Sequence, residues 1–267
     1  FFSIKWKALL LFGLLISVSH AIQYGISYQQ INDQFQRQHN QELHYQHSII
    51  EALIEQSARL MEQITELTDT PYNGTPFRAE NHIASSLEQQ WDSLQANWGL
   101  TAILMYNNEG QPKRNWGSDS RELIHQNDLA AALQTAKPMH RLICADQCYQ
   151  IVYIPILVDP NSEQHALIVF VRSLADIIIS FKETTRTDIA ILRPTLNTKS
   201  APGKQLNIVA STQSKQLKKL LKNVSHNHSI DALLSSKTTL QFMDGKQFSL
   251  RLFNLGEPGQ PNSPYLL

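Results

Sequence analysis

Five side chains near the middle of the chain are of types that can orient a small ligand. They are aromatic or carry a polar tip, and they lie on or directly beside predicted strands: Tyr106, Trp116, Arg141, Tyr149 and Tyr153. An arginine guanidinium can bind a carboxylate through two parallel hydrogen bonds. Ligand cavities are mostly apolar and carry a few polar groups of this kind. We therefore predict these five as ligand-binding candidates. In the competing interpretation the aromatic residues belong to a core or its rim, and Arg141 lies on a solvated strand face.

The chain carries none of the motifs that mark common catalytic mechanisms. It has no Gly-x-Ser-x-Gly, no His-Glu-x-x-His, no glycine-rich phosphate loop and no Gly-Gly-Asp-Glu-Phe run. A Ser–His–Asp triad can assemble from residues far apart in the sequence, so motifs alone do not reveal one. We predict that the chain is not an enzyme, and an exported hydrolase is the competing class.

Two groups of histidines can be considered as metal ligands, because the histidine side chain commonly binds metal ions. His44 and His47 are three residues apart and can share one face of a helix, whereas His39 lies off that face. A metal site would need a convergent third ligand, which this spacing does not supply. His226 and His228 alternate within a predicted loop. Solvated side chains are the favoured interpretation of both groups, and we predict no metal and no cofactor.

The N-terminal segment has the composition of a membrane span. Two lysines and Trp6 precede an apolar run that starts at Ala8. About 20 apolar residues cross a bilayer core, and lysines prefer its cytoplasmic side. We predict a cytoplasmic flank over residues 1–7, a transmembrane helix over 8–27, and an extracytoplasmic location for residues 28–267.

The same segment also fits a cleaved signal peptide. Ser19-His20-Ala21 has the small-x-small form of a cleavage site. Cleavage after Ala21 would release a secreted periplasmic binding protein. Against cleavage, the apolar stretch continues past this site and a helical pattern follows without a break. Both interpretations export the remainder of the chain.

The chain contains two cysteines, Cys144 and Cys148. In an exported protein such a close pair favours a disulfide, and two free thiols are the alternative. A zinc site would need more ligands than His140, the one histidine nearby. We predict the Cys144–Cys148 disulfide.

Composition excludes some classes of partner. The 267 residues suffice for one or two domains. Lys plus Arg number 23, Asp plus Glu also number 23, and the formal net charge is zero. A nucleic-acid partner would require a concentrated basic surface. We predict no nucleic-acid binding.

Residues 28–70 predict one long helix. Residues 28–68 contain no glycine and no proline, and Leu43, Ile50, Ser57 and Ile64 recur every seven residues. The first half is rich in Gln, Asn and His, which predicts a solvated stalk or one strand of a dimeric coiled coil. The second half is predicted to pack on its own domain.

The elements that follow predict an antiparallel sheet covered by helices. Helices are predicted over residues 79–98, 120–136 and 174–183. Strands are predicted over residues 100–106, up to 116, 139–144, 150–158 and 165–172, with a turn over 159–162. Helices packed on an antiparallel sheet form an α+β fold.

A shorter version of this pattern follows residue 186. Strands are predicted over residues 188–192 and 206–210, a helix over 212–222, and a hairpin of 239–242 with 247–252 across Asp244-Gly245. The last five residues read as the opening of one more strand, and the chain begins without Met. We expect a fragment of a longer protein, with the second set incomplete at its C-terminal end.

The stretch that joins these two sets resembles a known family. Residues 144–157 read CADQCYQIVYIPIL and residues 167–176 read LIVFVRSLAD, followed by Phe181, Thr185 and DIAIL over 188–192. This pattern resembles the double-Cache sensor domains of bacterial membrane receptors. It is most similar to those that precede GGDEF or EAL modules or histidine kinases.

The resemblance implies a fold and a function. The α+β fold would place the transmembrane and stalk helices before two PAS-like (Cache) modules, membrane-distal over 71–185 and membrane-proximal over 186–267. The chain would be the periplasmic sensory region of a receptor in the bacterial inner membrane, homodimeric through its stalk. It would sense a small molecule or a periplasmic protein partner. The output would be a cytoplasmic cyclic-di-GMP synthase or phosphodiesterase, with a histidine kinase or chemoreceptor as the alternative.

Overall fold

A computed structural model describes most of the chain. The described residues are 4–68, 76–159, 164–196, 204–213, 215, 218–220, 239–243, 246–250, 252–255 and 265–266. The chain divides into two units, Phe1–Gln46 and His47–Leu267. The predicted turns over 159–162 and 244–245 lie largely or wholly outside the described residues.

The chain begins with a single long helix, α1, which spans Ile4–Thr68. The absence of proline and the heptad spacing of apolar residues explain why it continues so far. Within the second unit its buried stripe consists of Ile50, Ile54, Ser57, Ala58, Met61, Ile64 and Thr65. The predicted packing of the second half of this helix on its own domain is confirmed.

The described residues offer no helical stretch that is both long enough and apolar enough for a bilayer. The predicted transmembrane helix over 8–27 is therefore not confirmed. The side chains of residues 5–11, where that segment starts, lie outside the described residues.

The first sheet has five antiparallel strands. They are β1 (Leu100–Tyr106), β2 (Pro112–Gly117), β3 (Met139–Cys144), β4 (Cys148–Asp159) and β5 (Gln164–Ser173), in the order β2-β1-β5-β4-β3. The central strand β5 is almost continuously apolar and is fully buried over residues 166–171. A strand buried on both faces needs helices on both sides of the sheet.

Helices cover both faces of this sheet. The second half of α1 and helix α2 (Pro76–Trp98) pack on one face, where their apolar residues join those of β1, β4 and β5. Helix α3 (Gln126–Thr135) packs on the other face. Successive strand residues alternate between these faces. On β1, Ile103 and Met105 face α1 and α2, whereas Ala102 and Leu104 face α3.

The single helix predicted over residues 120–136 is wrong in residues 120–125. A short 3₁₀ turn occupies Arg121–Leu123, and α3 begins only at Gln126. Ile124 and His125 between them have extended backbone conformations, so the helical pattern cannot run through them. Ile124 is buried in the α3-facing core.

Helix α4 (Leu174–Thr185) connects the first sheet to the second. Its N-cap is Ser173, whose hydroxyl accepts a hydrogen bond from the Ala175 amide at 3.2 Å. The helix ends at Arg186, which adopts a left-handed conformation (φ 59°). The predicted helix over 174–183 is confirmed and extended by two residues.

The second sheet has four described strands in the order β10-β11-β6-β7. They are β6 (Ala190–Leu196), β7 (Lys204–Ser211), β10 (Phe253–Asn254) and β11 (Tyr265–Leu266). Strands β8 (Thr239–Met243) and β9 (Lys246–Leu250) form a separate hairpin. The predicted terminal strand is confirmed by its pairing with β6. The predicted helix over 212–222 lies largely outside the described residues.

A junction core joins the two sheets within the second unit. It is formed by α1, the end of the β3–β4 hairpin, α4 and β6; its buried members are Ile50, Ile54, Leu142, Cys144, Cys148, Leu174, Ile177, Ile178, Phe181, Ile189 and Ile191. The hairpin is closed by the Cys144–Cys148 disulfide, which confirms that prediction. The Arg193 guanidinium on β6 donates a hydrogen bond to the Ala145 carbonyl in the hairpin turn. Apolar packing and this polar contact therefore both link the first sheet to the second.

Candidate ligand-binding site

The α3 face of the first sheet brings together most of the predicted site residues. Tyr106 on β1 and Tyr153 on β4 are buried in the α3-facing core, and Tyr149 packs against the same core. Arg141 lies on β3 directly opposite Ile151, which belongs to that core. Because directly paired strand residues share a face, Arg141 projects toward α3 as well.

Trp116 does not belong to this group. It pairs with Ile103 and packs against the core on the α1 and α2 face, together with Trp91 and Trp98. Gly117 allows the Trp91 ring to pack closely against β2, since a side chain at position 117 would collide with that ring. The register of β2 on β1 thus decides the face, and residue type alone does not predict that register.

Tyr153 is the most enclosed polar group on this face. Its side chain is 0% exposed, and its hydroxyl makes no hydrogen bond of normal geometry among the described residues. Burial raises the pKa of Tyr153, and the nearby Asp128 carboxylate raises it further. A weak backbone hydrogen bond from His125 and the positive charge of Arg141 both lower the pKa of Tyr153 and so oppose this rise. The phenol is therefore neutral at physiological pH and can donate or accept a hydrogen bond.

Arg141 forms an ion pair across the interface between α3 and β3. Its Nε lies 3.4 Å from Oδ1 of Asp128, and the two side chains are 21% and 16% exposed. Asp128 stands in the first turn of α3, where a negative charge is favourable. Asp128 was not predicted from the sequence, because its contact with Arg141 joins a helix to the edge strand of a sheet. Its position in the first turn of a helix is the one local signal that could have identified it.

A second ion pair lies beside Tyr106. Arg121 binds Asp119 through two side-chain hydrogen bonds of 2.9 Å each, and both residues are exposed. These bonds hold the pKa of Asp119 below its ordinary value. Burial raises the pKa of Tyr106, while the positive charge of Arg121 lowers it and the negative charge of Asp119 raises it. Sequence reasoning missed this pair too.

These groups suit recognition of a small polar molecule. Two buried phenols offer hydroxyls that donate and accept, and the Arg141–Asp128 pair offers a cation and an anion side by side. A carboxylate could bind Arg141 and an ammonium could bind Asp128. Within the described part of the chain, His, Cys, Asp and Glu residues form no group of three or more placed to hold a metal ion.

The chain matches one protein family over most of its length. Residues 23–258 match a family described as the double sensory domain of two-component sensor kinase. The chain belongs to this double-Cache family. A comparison with curated protein sequences finds no match.

Several solved sensor-domain structures are similar to this chain at low sequence identity. The sensor domain of the Vibrio cholerae histidine kinase DctB is 13% identical, with a TM-score of 0.47; the match covers 87% of this chain and 96% of that one. The ligand-binding domain of the Pseudomonas aeruginosa PAO1 amino-acid chemoreceptor PctC, in complex with GABA, is 14% identical with a TM-score of 0.44. That match covers 81% of this chain and 91% of the PctC domain. The sensory domain of the Campylobacter jejuni chemoreceptor Tlp3 is 12% identical with a TM-score of 0.43, covering 83% and 90%.

Proposed function

We propose that this chain is the extracytoplasmic, ligand-sensing region of a membrane-anchored signal-transduction receptor. Membership of the double-Cache family supports the sensory role. The proposal that this region binds a ligand is based on the buried Tyr153 hydroxyl, which lies beside the Arg141–Asp128 ion pair. A buried polar group without a partner costs free energy, so its presence needs an explanation. We infer that a bound ligand supplies a further hydrogen bond to this hydroxyl.

The proposed receptor has two sensory modules. The membrane-distal module covers residues 71–185 and carries the candidate site, and the membrane-proximal module covers 186–267. The junction core supports this division, since it lies where α4 leads from the first sheet into the second. The chain itself catalyses no reaction in this proposal, and ligand binding changes the equilibrium between two packings of the modules.

A membrane anchor near the N-terminus completes the proposal. Its support is the apolar composition that follows the basic residues of the first turn of α1.

Fusions of alkaline phosphatase or β-galactosidase after residue 110, expressed in living bacteria, test the location of the chain. We expect active phosphatase and inactive galactosidase, and the reverse pattern would contradict export. Intact-mass measurement of the native protein then distinguishes an anchor from cleavage after Ala21.

The proposed receptor is a homodimer through the first half of α1. Several exposed apolar residues there follow an alternating spacing of four and three, as in a coiled coil: Tyr24, Tyr28, Ile31 and Phe35, with Tyr45 almost three turns further along. A solvated apolar stripe of this length fits a second copy of the same helix, because each copy would bury the stripe of the other.

The output domain is proposed to be a cyclic-di-GMP synthase or phosphodiesterase. A histidine kinase output is the second candidate, and the matched family's own description favours it. Sequencing the gene downstream of Leu267 decides between them: a GGDEF or EAL module supports the first, and a kinase module the second. A stop codon directly after Leu267 would instead favour a soluble periplasmic binding protein.

A thermal-shift screen tests ligand binding directly. The protein would be screened against amino acids, organic acids and polyamines, and we expect at least one compound to raise Tm. The compound should lose its effect in Arg141→Leu, because a charge-assisted hydrogen bond contributes about 1.5–3 kcal/mol, or tenfold or more in Kd.

Arg114→Leu is the matched control for this screen. Arg114 also pairs with a carboxylate, at 3.8 Å from Glu88, but it lies on the exposed edge strand β2. Its replacement should leave the shift in Tm unchanged. No shift with any compound in the wild-type protein would favour a protein partner over a small molecule.

A further inference from the structure

Two polar side chains connect the first sheet to the buried stripe of α1. Gln150 on β4 and Arg172 on β5 lie directly opposite each other in the sheet. The Gln150 Nε2 donates a hydrogen bond of 2.8 Å to the carbonyl of Ile54, and the Arg172 Nη1 donates one of 2.8 Å to the Ser57 hydroxyl. Ile54 and Ser57 are three residues apart and therefore share one face of the helix.

This polar contact is enclosed by apolar surface. Gln150 is 0% exposed and Ser57 is 3% exposed. On one side of it, Ala58 and Met61 join the core on the α1 and α2 face; on the other side, Ile54 joins the junction core. Apolar packing is non-directional, so it tolerates sliding of a helix better than buried hydrogen bonds do.

No position of α1 one turn away from the observed one satisfies both donors. Moving the helix by one turn would bring another backbone carbonyl opposite Gln150, since every turn carries carbonyls. The residues one turn from Ser57 on its buried face are Ile54 and Met61, and neither offers a side-chain oxygen. The shifted helix would therefore leave the half-buried Arg172 guanidinium without its acceptor, which is unfavourable.

The strand that carries Gln150 also carries the candidate site. Tyr149 and Ile151 flank Gln150 in sequence and contact the α3-facing core, and Tyr153 follows on the same face. If ligand binding moves β4 at the site, Gln150 moves with it, and the Gln150–Ile54 hydrogen bond is affected directly.

We propose that Gln150 and Arg172 form a clamp that sets the axial register of helix α1 on the first sheet. The clamp is a property of the fold, and only its use in signal transmission rests on the proposed sensory function. Buried polar contacts specify register in helical coiled coils for the same physical reason.

Distance measurements between spin labels test the clamp. Both native cysteines are in the disulfide, so nitroxide labels attach only to cysteines introduced at exposed positions. One label at residue 59 on α1 is paired with a second at residue 109 or at 184. We expect one narrow distance for each pair in the wild-type background. In Gln150→Leu with Arg172→Leu we expect a second population displaced by about one helical turn, or ~5 Å.

Val152→Ala is the matched control. Val152 lies two residues from Gln150 in the core on the α1 and α2 face, so its truncation weakens packing without touching the clamp. It should keep the single narrow distance. Unchanged distances in a folded double variant would overturn the proposal, and so would equal broadening in Val152→Ala.

Ser57→Ala provides a second test of the clamp in case the double variant fails to fold. It removes only the acceptor of Arg172, and alanine favours the helix. We expect the same displaced population at lower occupancy, and its absence would overturn the clamp. A failed ligand screen would leave these distances unaffected, so the clamp and the sensory function can fail separately.

Discussion

At the scale of single residues, the chain places polar groups where stability alone would not favour them. The Tyr153 hydroxyl, the Gln150 Oε1 and the Arg172 Nε are all buried without hydrogen-bond partners among the described residues. Functional sites commonly retain such groups because they serve binding or conformational change. The Tyr153 hydroxyl lies beside a paired cation and anion, Arg141 and Asp128.

Tyr153→Phe should stabilise the ligand-free protein. The substitution removes a buried hydroxyl that makes no hydrogen bond of normal geometry and leaves the ring in place. We expect the free energy of unfolding in urea to rise by about 1 kcal/mol. Any ligand found by thermal shift should bind this variant more weakly. A loss of stability would show that the hydroxyl has a partner in the folded state.

The two buried tyrosines should make the protein sensitive to alkaline pH. Burial raises the pKa of both Tyr106 and Tyr153 in the folded state. Their contribution to stability is therefore complete below the unfolded pKa of about 10 and is lost as pH rises through the folded values. We expect the free energy of unfolding to fall above about pH 10, and to fall less steeply in Tyr153→Phe. Equal slopes in both proteins would contradict this.

At the scale of secondary structure, the β3–β4 hairpin is a connecting element. Its disulfide and its Ala145 carbonyl both lie at the end that packs into the junction core. The two cysteines are buried and contribute apolar surface as well as a covalent bond.

Replacing both cysteines by serine should destabilise the protein moderately. The bond closes a short loop, and the chain-entropy model assigns about 2 kcal/mol to a loop of this size. Buried serine hydroxyls would add to the loss. Urea unfolding of the Cys144→Ser/Cys148→Ser variant measures it, and reduction of the wild-type protein by dithiothreitol provides the comparison. A loss below about 0.5 kcal/mol would mean that the junction core does not depend on the bond.

Gly117→Ala should be more harmful than Gly110→Ala. Both glycines have positive φ, 85° and 73° respectively, where alanine is strained. A Cβ at 117 would also collide with the Thr101 carbonyl and the Trp91 ring, whereas none of the described atoms lies within 4 Å of a Cβ at 110. We expect losses of about 3 and 1 kcal/mol respectively by urea unfolding. Equal losses would contradict the close approach of β2 to α2.

At the scale of the whole molecule, the second unit is built in layers. Helices α1 and α2, the first sheet and α3 form three successive layers, and the junction core continues from them to the second sheet. Helix α1 contributes to two of the three cores. A change in its position would therefore affect the packing of both sheets.

Charges on the exposed stripe of α1 should abolish dimerisation. Ile31→Glu with Phe35→Glu would place like charges in the proposed interface, where they repel each other and lose apolar burial. We expect a dimer for the wild-type protein and a monomer for this variant in sedimentation equilibrium in detergent. Arg37→Glu, about opposite the stripe on the helix, should remain dimeric. A monomeric wild-type protein would contradict the proposed interface.

Much of the fold was predictable from local sequence patterns. The bounds of β1 and β3 agree with prediction to the residue, and α2, β4, β5 and α4 agree within three residues. These elements have strong apolar periodicity and clear turn residues at their ends. One exception is the segment 120–136, where Ile124 and His125 have extended backbone conformations and Ile124 is buried in the α3-facing core.

The candidate site was predictable only in part. Residue types pointed to Tyr106, Tyr149, Tyr153 and Arg141, which the structure brings to one face, but not to the partner Asp128.

By itself the sequence determined most of the described helices and strands, the α+β class, the disulfide and the family, because these depend on spacing along the chain. Only the tertiary structure decided that Trp116 faces away from the site, that Asp128 pairs with Arg141, and that Gln150 and Arg172 hold α1. Each of these depends on strand register and on contacts between elements distant in sequence. A shift of one residue in register moves a side chain to the other face, and local patterns do not determine register.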